Sequence, residues 1–81
     1  ERNYMYIGWY IGRPYWEIKT ILIKRGFEMI DSGYYDSAHT KGYCVMSNGG
    51  EDITLKTNII IGKNGKEQCS TIYDVHCNTY D

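Results

Sequence analysis

The stretch ITLKTNIIIGKNGKEQCSTIYDVHC, residues 53–77, decides the fold. Ile53, Leu55, Thr57, Ile59 and Ile61 alternate with Thr54, Lys56, Asn58 and Ile60, and a period of two is the mark of a strand with two different faces. Asn64-Gly65 follows at once, the dipeptide suited to a type I′ hairpin turn because both central residues take positive φ. The chain then returns as a second strand, with Cys69, Thr71, Tyr73, Val75 and Cys77 expected on one face.

Working outward, Tyr43 to Ser47 reads as a strand and Asn48-Gly49-Gly50 as the turn that joins it to residue 53. Phe27 to Asp31 reads as a shorter strand, which residues 34–35 extend past a bulge. Asp31-Ser32-Gly33 and the run 36–42 carry the turn formers Asp, Ser and Gly. Before them lies GRPYWEIKTILIKRGF, with Pro14 suited to a first helical position, Glu17 in the first turn, Lys24 and Arg25 in the last and Gly26 just beyond. That order of signals predicts a helix over 14–25, with a strand as the alternative because of its β-branched residues. At the start, Met5, Ile7, Trp9 and Ile11 alternate with Tyr4, Tyr6, Gly8 and Tyr10. This predicts a strand over 4–11 with an apolar core face and a tyrosine face.

The order is therefore strand, helix, four strands. Doubly wound sheets need crossovers of a dozen or more residues each, for which there is no room. The expected architecture is α+β: one domain over 1–81, with a single helix packed on a four- to five-stranded antiparallel sheet in the order β-α-β-β-β-β. Cystatins are similar in this strand order. The resemblance is one of shape alone, because the glycine-valine loop motif that cystatins use against cysteine proteases is not matched, and shape by itself confers no function.

Composition narrows the classes of function. The chain has 81 residues, an apolar fraction of 42% and nine Tyr against one Phe and two Trp. Tyrosine suits half-buried positions, where the ring packs and the hydroxyl stays wet. A formal net charge of −1, from nine basic and ten acidic residues, gives no field to steer a polyanion, so nucleic acid is not an expected partner. No apolar run approaches the roughly 18–20 residues that cross a bilayer, so a soluble protein that does not engage a membrane is expected. The chain opens on Glu1, and a small domain gains most from a disulfide; both lean slightly towards a secreted or periplasmic protein, with a short cytosolic protein with buried thiols as the alternative.

The three cysteines, Cys44, Cys69 and Cys77, are disulfide candidates. A continuous strand would hold Cys69 and Cys77 roughly 27 Å apart, which makes Cys44 the better partner for one of them. A Cys44–Cys77 bridge would close about 30 residues and contribute on the order of 3–4 kcal/mol. The alternative is three reduced thiols. A zinc site would need ligands two to four residues apart, and adjacent His76 and Cys77 point to opposite strand faces, so neither a metal nor a cofactor is expected. Gly8 and Gly12 flank a segment too apolar for a phosphate loop, and no Walker lysine follows. Glu51, Asp52, Glu67, Asp74 and Asp81 are dispersed and read as a solvated rim.

Two readings of function follow, with a third behind them. The first is a small non-enzymatic protein-binding module of inhibitor, immunity or host-interaction type, a monomer or weak dimer. It would use a tyrosine-rich sheet face of Tyr4, Tyr6 and Tyr10, extended by Tyr15, Tyr34 and Tyr35, since tyrosine offers large, rigid contact area at interfaces. The second is a nuclease-like or toxin-like enzyme with His39, His76 and Lys41 as acid–base groups, which requires the imidazoles to meet. The third is a structural subunit that self-associates through the exposed edge of the first or last strand.

Overall fold

The computed structural model describes residues 7–79. One α-helix, α1 (Tyr15–Lys24), precedes four strands: β1 (Glu28–Tyr34), β2 (Lys41–Ser47), β3 (Glu51–Ile61) and β4 (Glu67–Thr79). The strands form a single antiparallel sheet in the order β1-β2-β3-β4. The α+β architecture of one helix on a four-stranded antiparallel sheet follows from the periodicities above.

Pro14 is extended and caps α1 rather than standing inside it, and its carbonyl accepts the Glu17 and Ile18 amides. The far end closes in a Schellman motif: the Phe27 amide reaches the Leu22 carbonyl at 3.0 Å and the Gly26 amide reaches Ile23 at 3.1 Å. Leu22 and Phe27 are both buried, so the motif turns the chain and seals the core together.

That core is the helix-facing side of the sheet. Ile18 and Leu22 from α1 meet Cys44 and Met46 of β2, Ile53 and Leu55 of β3 and Ile72 of β4. Thr57 is fully buried in the same layer, opposite Gly42 and Ile72, and its hydroxyl has no hydrogen-bond partner among the described residues.

The opening segment departs from the expected strand. Residues Ile7–Tyr10 form a 3-10 helix, and residues 4–6 lie outside the described range. The faces are exchanged as well: Tyr10 is 1% exposed and joins the core, whereas Trp9 and Ile11 are 41% and 50% exposed. The chain then meets the outer edge of β4, where the Gly12 amide bonds the Ile72 carbonyl at 2.8 Å and the Ile72 amide bonds Arg13 at 3.0 Å. Pro14 forms an isolated bridge with Thr71. Where the cystatin-like order has its first strand, residues 7–10 are this short helical turn.

Two details of the deciding hairpin also differ. Gly65 has φ +79° but Asn64 does not have positive φ, and the Gly65 amide bonds Gly62 while the Gly62 amide bonds Lys66. This is the three-residue loop in which a type I turn is followed by a left-handed glycine, not a type I′ turn. Strand β4 gains one residue on β3 between the Lys56–Asp74 and Thr57–Ile72 pairs, and another between Thr57–Ile72 and Ile59–Cys69. Each extra residue reverses the alternation. The helix-facing residues are therefore Cys69, Ile72, Val75 and Cys77, and Thr71 and Tyr73 are exposed.

Candidate functional site

The face of the sheet away from α1 carries a row of side chains that crosses β2, β3 and β4. Tyr43 pairs with Lys56 across β2 and β3, and Lys56 pairs with Asp74 across β3 and β4. Tyr35, one residue past β1, completes the row: its ring lies 5.1 Å from that of Tyr43, and the Lys56 ammonium sits 5.3 Å from the Tyr35 centroid. A second row lies beside it, with Lys41 bonded to Asn58 at 2.8 Å and its ammonium 5.3 Å from the Tyr73 ring. Each lysine lies over a ring, within cation–π range. Lys56 is also matched by Asp74 at 3.9 Å, so the patch is aromatic and close to neutral rather than basic. Burial raises the Tyr35 hydroxyl above its ordinary value, with Asp74 adding to the shift, so it stays a donor.

The opposite face carries a second feature, beyond the end of the helix. Tyr34 and Glu67 belong to the two edge strands, yet the Tyr34 hydroxyl donates to Glu67 Oε1 at 2.7 Å. Three strand spacings of about 4.8 Å separate such edges in a flat sheet, so the sheet curls here. Gly42 permits the curl: a Cβ there would stand 2.9 Å from Ile59 Cδ1 and 3.0 Å from the Gly33 carbonyl. His39 Nδ1 lies 2.9 Å from Glu67 Oε2, and its ring stacks on Tyr34 with centroids 3.7 Å apart and planes 6° apart. His39 is held by its loop, where Asp36 accepts the Thr40 amide at 2.9 Å, the Lys41 amide at 3.2 Å and the Thr40 hydroxyl. That loop leaves His39 at φ 58°, the one positive-φ residue other than glycine among those described. The Tyr34 hydrogen bond, followed by that of His39, holds the Glu67 carboxyl below its ordinary value.

The expected site residues are thus dispersed. Tyr10 is in the core and is not available to a partner, and Tyr4 and Tyr6 fall outside the described residues. Tyr15 is half-buried against the core, and burial, with Cys44 adding to it, raises its pKa well above the ordinary tyrosine value. Tyr34 is on the helix side of the sheet. Of the expected tyrosines that are among the described residues, only Tyr35 lies on the open face, where its ring meets Tyr43; Tyr73 shares that face, under the Lys41 ammonium. No special spacing marks Tyr43 and Tyr73: register puts the first on the open face and the bulge puts the second there.

His39 and His76 are not brought together. His39 touches Glu67 at the start of β4, whereas His76 pairs with Thr54 nine residues further along, roughly 25–30 Å of strand. Lys41 faces the open side with Asn58 and Tyr73.

The expected disulfide is absent, and Cys44, Cys69 and Cys77 are free thiols. Cys44 is opposite Leu55, whereas Cys69 and Cys77 are opposite Ile59 and Ile53 on the other side of β3. Two strand spacings already exceed the roughly 4.4–6.8 Å between Cα atoms that a disulfide spans. Cys44 instead donates to Met46 Sδ at 3.7 Å, and Cys77 donates to Glu51 Oε2 at 3.2 Å. Among the described residues no three of the His, Cys, Asp and Glu side chains come together to hold a metal ion, and no helix is long and apolar enough to cross a membrane.

Fold and surface together define a small α+β domain with one sheet face closed by a helix and the other bearing aromatic rings. Comparisons with protein-family models, with curated protein sequences and with solved structures return no match.

Proposed function

We propose that this domain is a non-enzymatic protein-binding module and that its binding surface is the open sheet face of Tyr35, Tyr43 and Tyr73 with Lys41 and Lys56. The observation that carries the reading is the pair of rows on that face, where Tyr35 contacts Tyr43 and Lys56, and Lys41 lies over Tyr73. The sheet presents these rings from three places, Tyr43 within β2, Tyr35 just past β1 and Tyr73 at the bulge of β4, and rigid aromatic groups lose little conformational freedom when a partner covers them. The near-neutral charge favours a protein surface over a polyanion, whose binding needs an excess of lysine and arginine. A partner of matching chemistry offers an apolar or aromatic centre with carboxylates at its margin to meet the two ammonium groups.

The test is capture of a partner from the source organism's extract, followed by calorimetry with purified variants. Tyr35→Ala and Tyr73→Ala should each weaken binding by about 2 kcal/mol, the size of an interface hot spot, while the fold survives. Trp16→Ala serves as the control, since Trp16 is 68% exposed on the helix side. Binding that withstands both tyrosine changes and is lost with Trp16→Ala would move the interface to the helix and overturn the proposal.

A further inference from the structure

Where the helix ends, the concave face of the curled sheet encloses a cavity of about 280 Å3 lined by residues that include Ser32, Tyr34, Ile59, Glu67, Gln68 and Cys69. We propose that this cavity binds a single aliphatic ammonium group, the head of a lysine side chain or of a free monoamine. Tyr43, which belongs to the tyrosine face, also borders the cavity, but the inference rests on Glu67 and its donors Tyr34 and His39 and not on that face being a binding surface.

The volume falls just below the range of small-molecule pockets, roughly 300–1,000 Å3, so it admits a side-chain-sized group and not a cofactor. Its lining combines apolar residues, Ile59 and Cys69 with Tyr34, and polar ones, Ser32 and Gln68. Glu67 supplies the charge. Its two oxygens are oriented by Tyr34 at 2.7 Å and His39 at 2.9 Å, one donor to each. A carboxylate has about four acceptor positions, so both oxygens can still receive hydrogen bonds. Among the described residues no lysine or arginine stands within ion-pair distance of Glu67, and His39 is its sole ionic contact. The carboxylate stands beside an apolar wall, an arrangement complementary to an ammonium head on a short hydrocarbon stem. An anion would meet repulsion from the same group, and a neutral alkyl chain would leave it unmatched.

The experiment follows backbone amide shifts while n-butylammonium and, separately, Nα-acetyl-lysine N-methylamide are added to the full chain, with Nα-acetyl-norleucine N-methylamide as the uncharged counterpart. Both amines are expected to shift the amides of Ser32, Glu67, Gln68 and Cys69 saturably, and the norleucine compound is not. Binding of the lysine compound alone would assign the site to a lysine side chain in a peptide; equal binding of butylammonium would extend it to free monoamines. Glu67→Gln should weaken the amine about tenfold or more, the effect of removing one charge-assisted hydrogen bond. Ile59→Trp, which fills the cavity and leaves the carboxylate in place, should abolish binding and decides the matter if E67Q loses its dispersed spectrum. Absence of saturable shifts with either amine, equal shifts with the norleucine compound, or unchanged affinity in I59W would overturn the proposal.

Discussion

Tyr34 and Glu67 stand on opposite edge strands of a four-stranded sheet and are joined by a 2.7 Å hydrogen bond. The bond acts as a latch on the curl, and its acceptor is ionised. Since the folded carboxyl titrates below its ordinary value near 4.5, its contribution to stability is complete above that pH and is lost as pH falls through the lower folded value. Tyr34→Phe removes the largest cause of the shift. In that variant the Glu67 carboxyl titration, followed by NMR, should move up towards 4.5, and the urea midpoint at pH 7 should fall slightly. An unmoved titration would mean that the phenol does not hold the carboxylate in solution.

Gly42 is the residue on which the curl turns. An added Cβ meets the Ile59 side chain and the Gly33 carbonyl, and the backbone contact cannot rotate away. Gly42→Ala should therefore cost about 1–3 kcal/mol by urea denaturation, the usual size of an overpacking penalty. Gly50→Ala is the control, because a Cβ there makes only an ordinary 3.6 Å contact with Asn48.

Thr57 offers the opposite case. Its buried hydroxyl is unpaired among the described residues, so replacing it with a methyl of the same shape removes a desolvation cost and no hydrogen bond. Thr57→Val should raise stability by roughly 1 kcal/mol. A loss of that size would show that the hydroxyl has a partner in solution.

The thiols give a chemical test. Without reductant, alkylation in denaturant should add three labels and leave no disulfide-linked mass. In the folded protein Cys44 should react last, because burial raises its pKa and removes it from the reagent, the thiolate being the reactive form. Its labelling rate should follow global unfolding.

The parts of this fold that the sequence discloses are those with a local cause. The period-two run from Ile53 to Ile61 makes β3, and Lys24-Arg25-Gly26 ends α1 through bonds within six residues. What it conceals depends on distant contacts. Alternation over Met5–Ile11 fits a strand, but Tyr10 is drawn into the core by packing that a short pattern cannot encode, and Trp9 is left outside under the Arg13 guanidinium at 4.1 Å. The bulges of β4 need only one more residue each and carry no residue type of their own, so Tyr73 and Ile72 exchange faces without warning. Glu67 reads as a solvated rim residue until the curl brings Tyr34 to it from 33 positions away. His39 was assignable to its loop from the turn formers around it, but its stacking partner was not.

The segment Gly12 to Pro14 occupies the middle of the outer edge of β4, with the Ile72 amide and carbonyl both spoken for. The opposite edge, β1, is broken by an irregularity between Met29 and Asp31 and carries Glu28 and Asp31. Strand-by-strand templating between copies needs a continuous row of open backbone groups, and like charges meeting across two such edges oppose it. In a domain that keeps Trp9, Trp16 and Ile23 in contact with water, these interruptions resist growth of the sheet into a fibril while leaving the face away from the helix accessible.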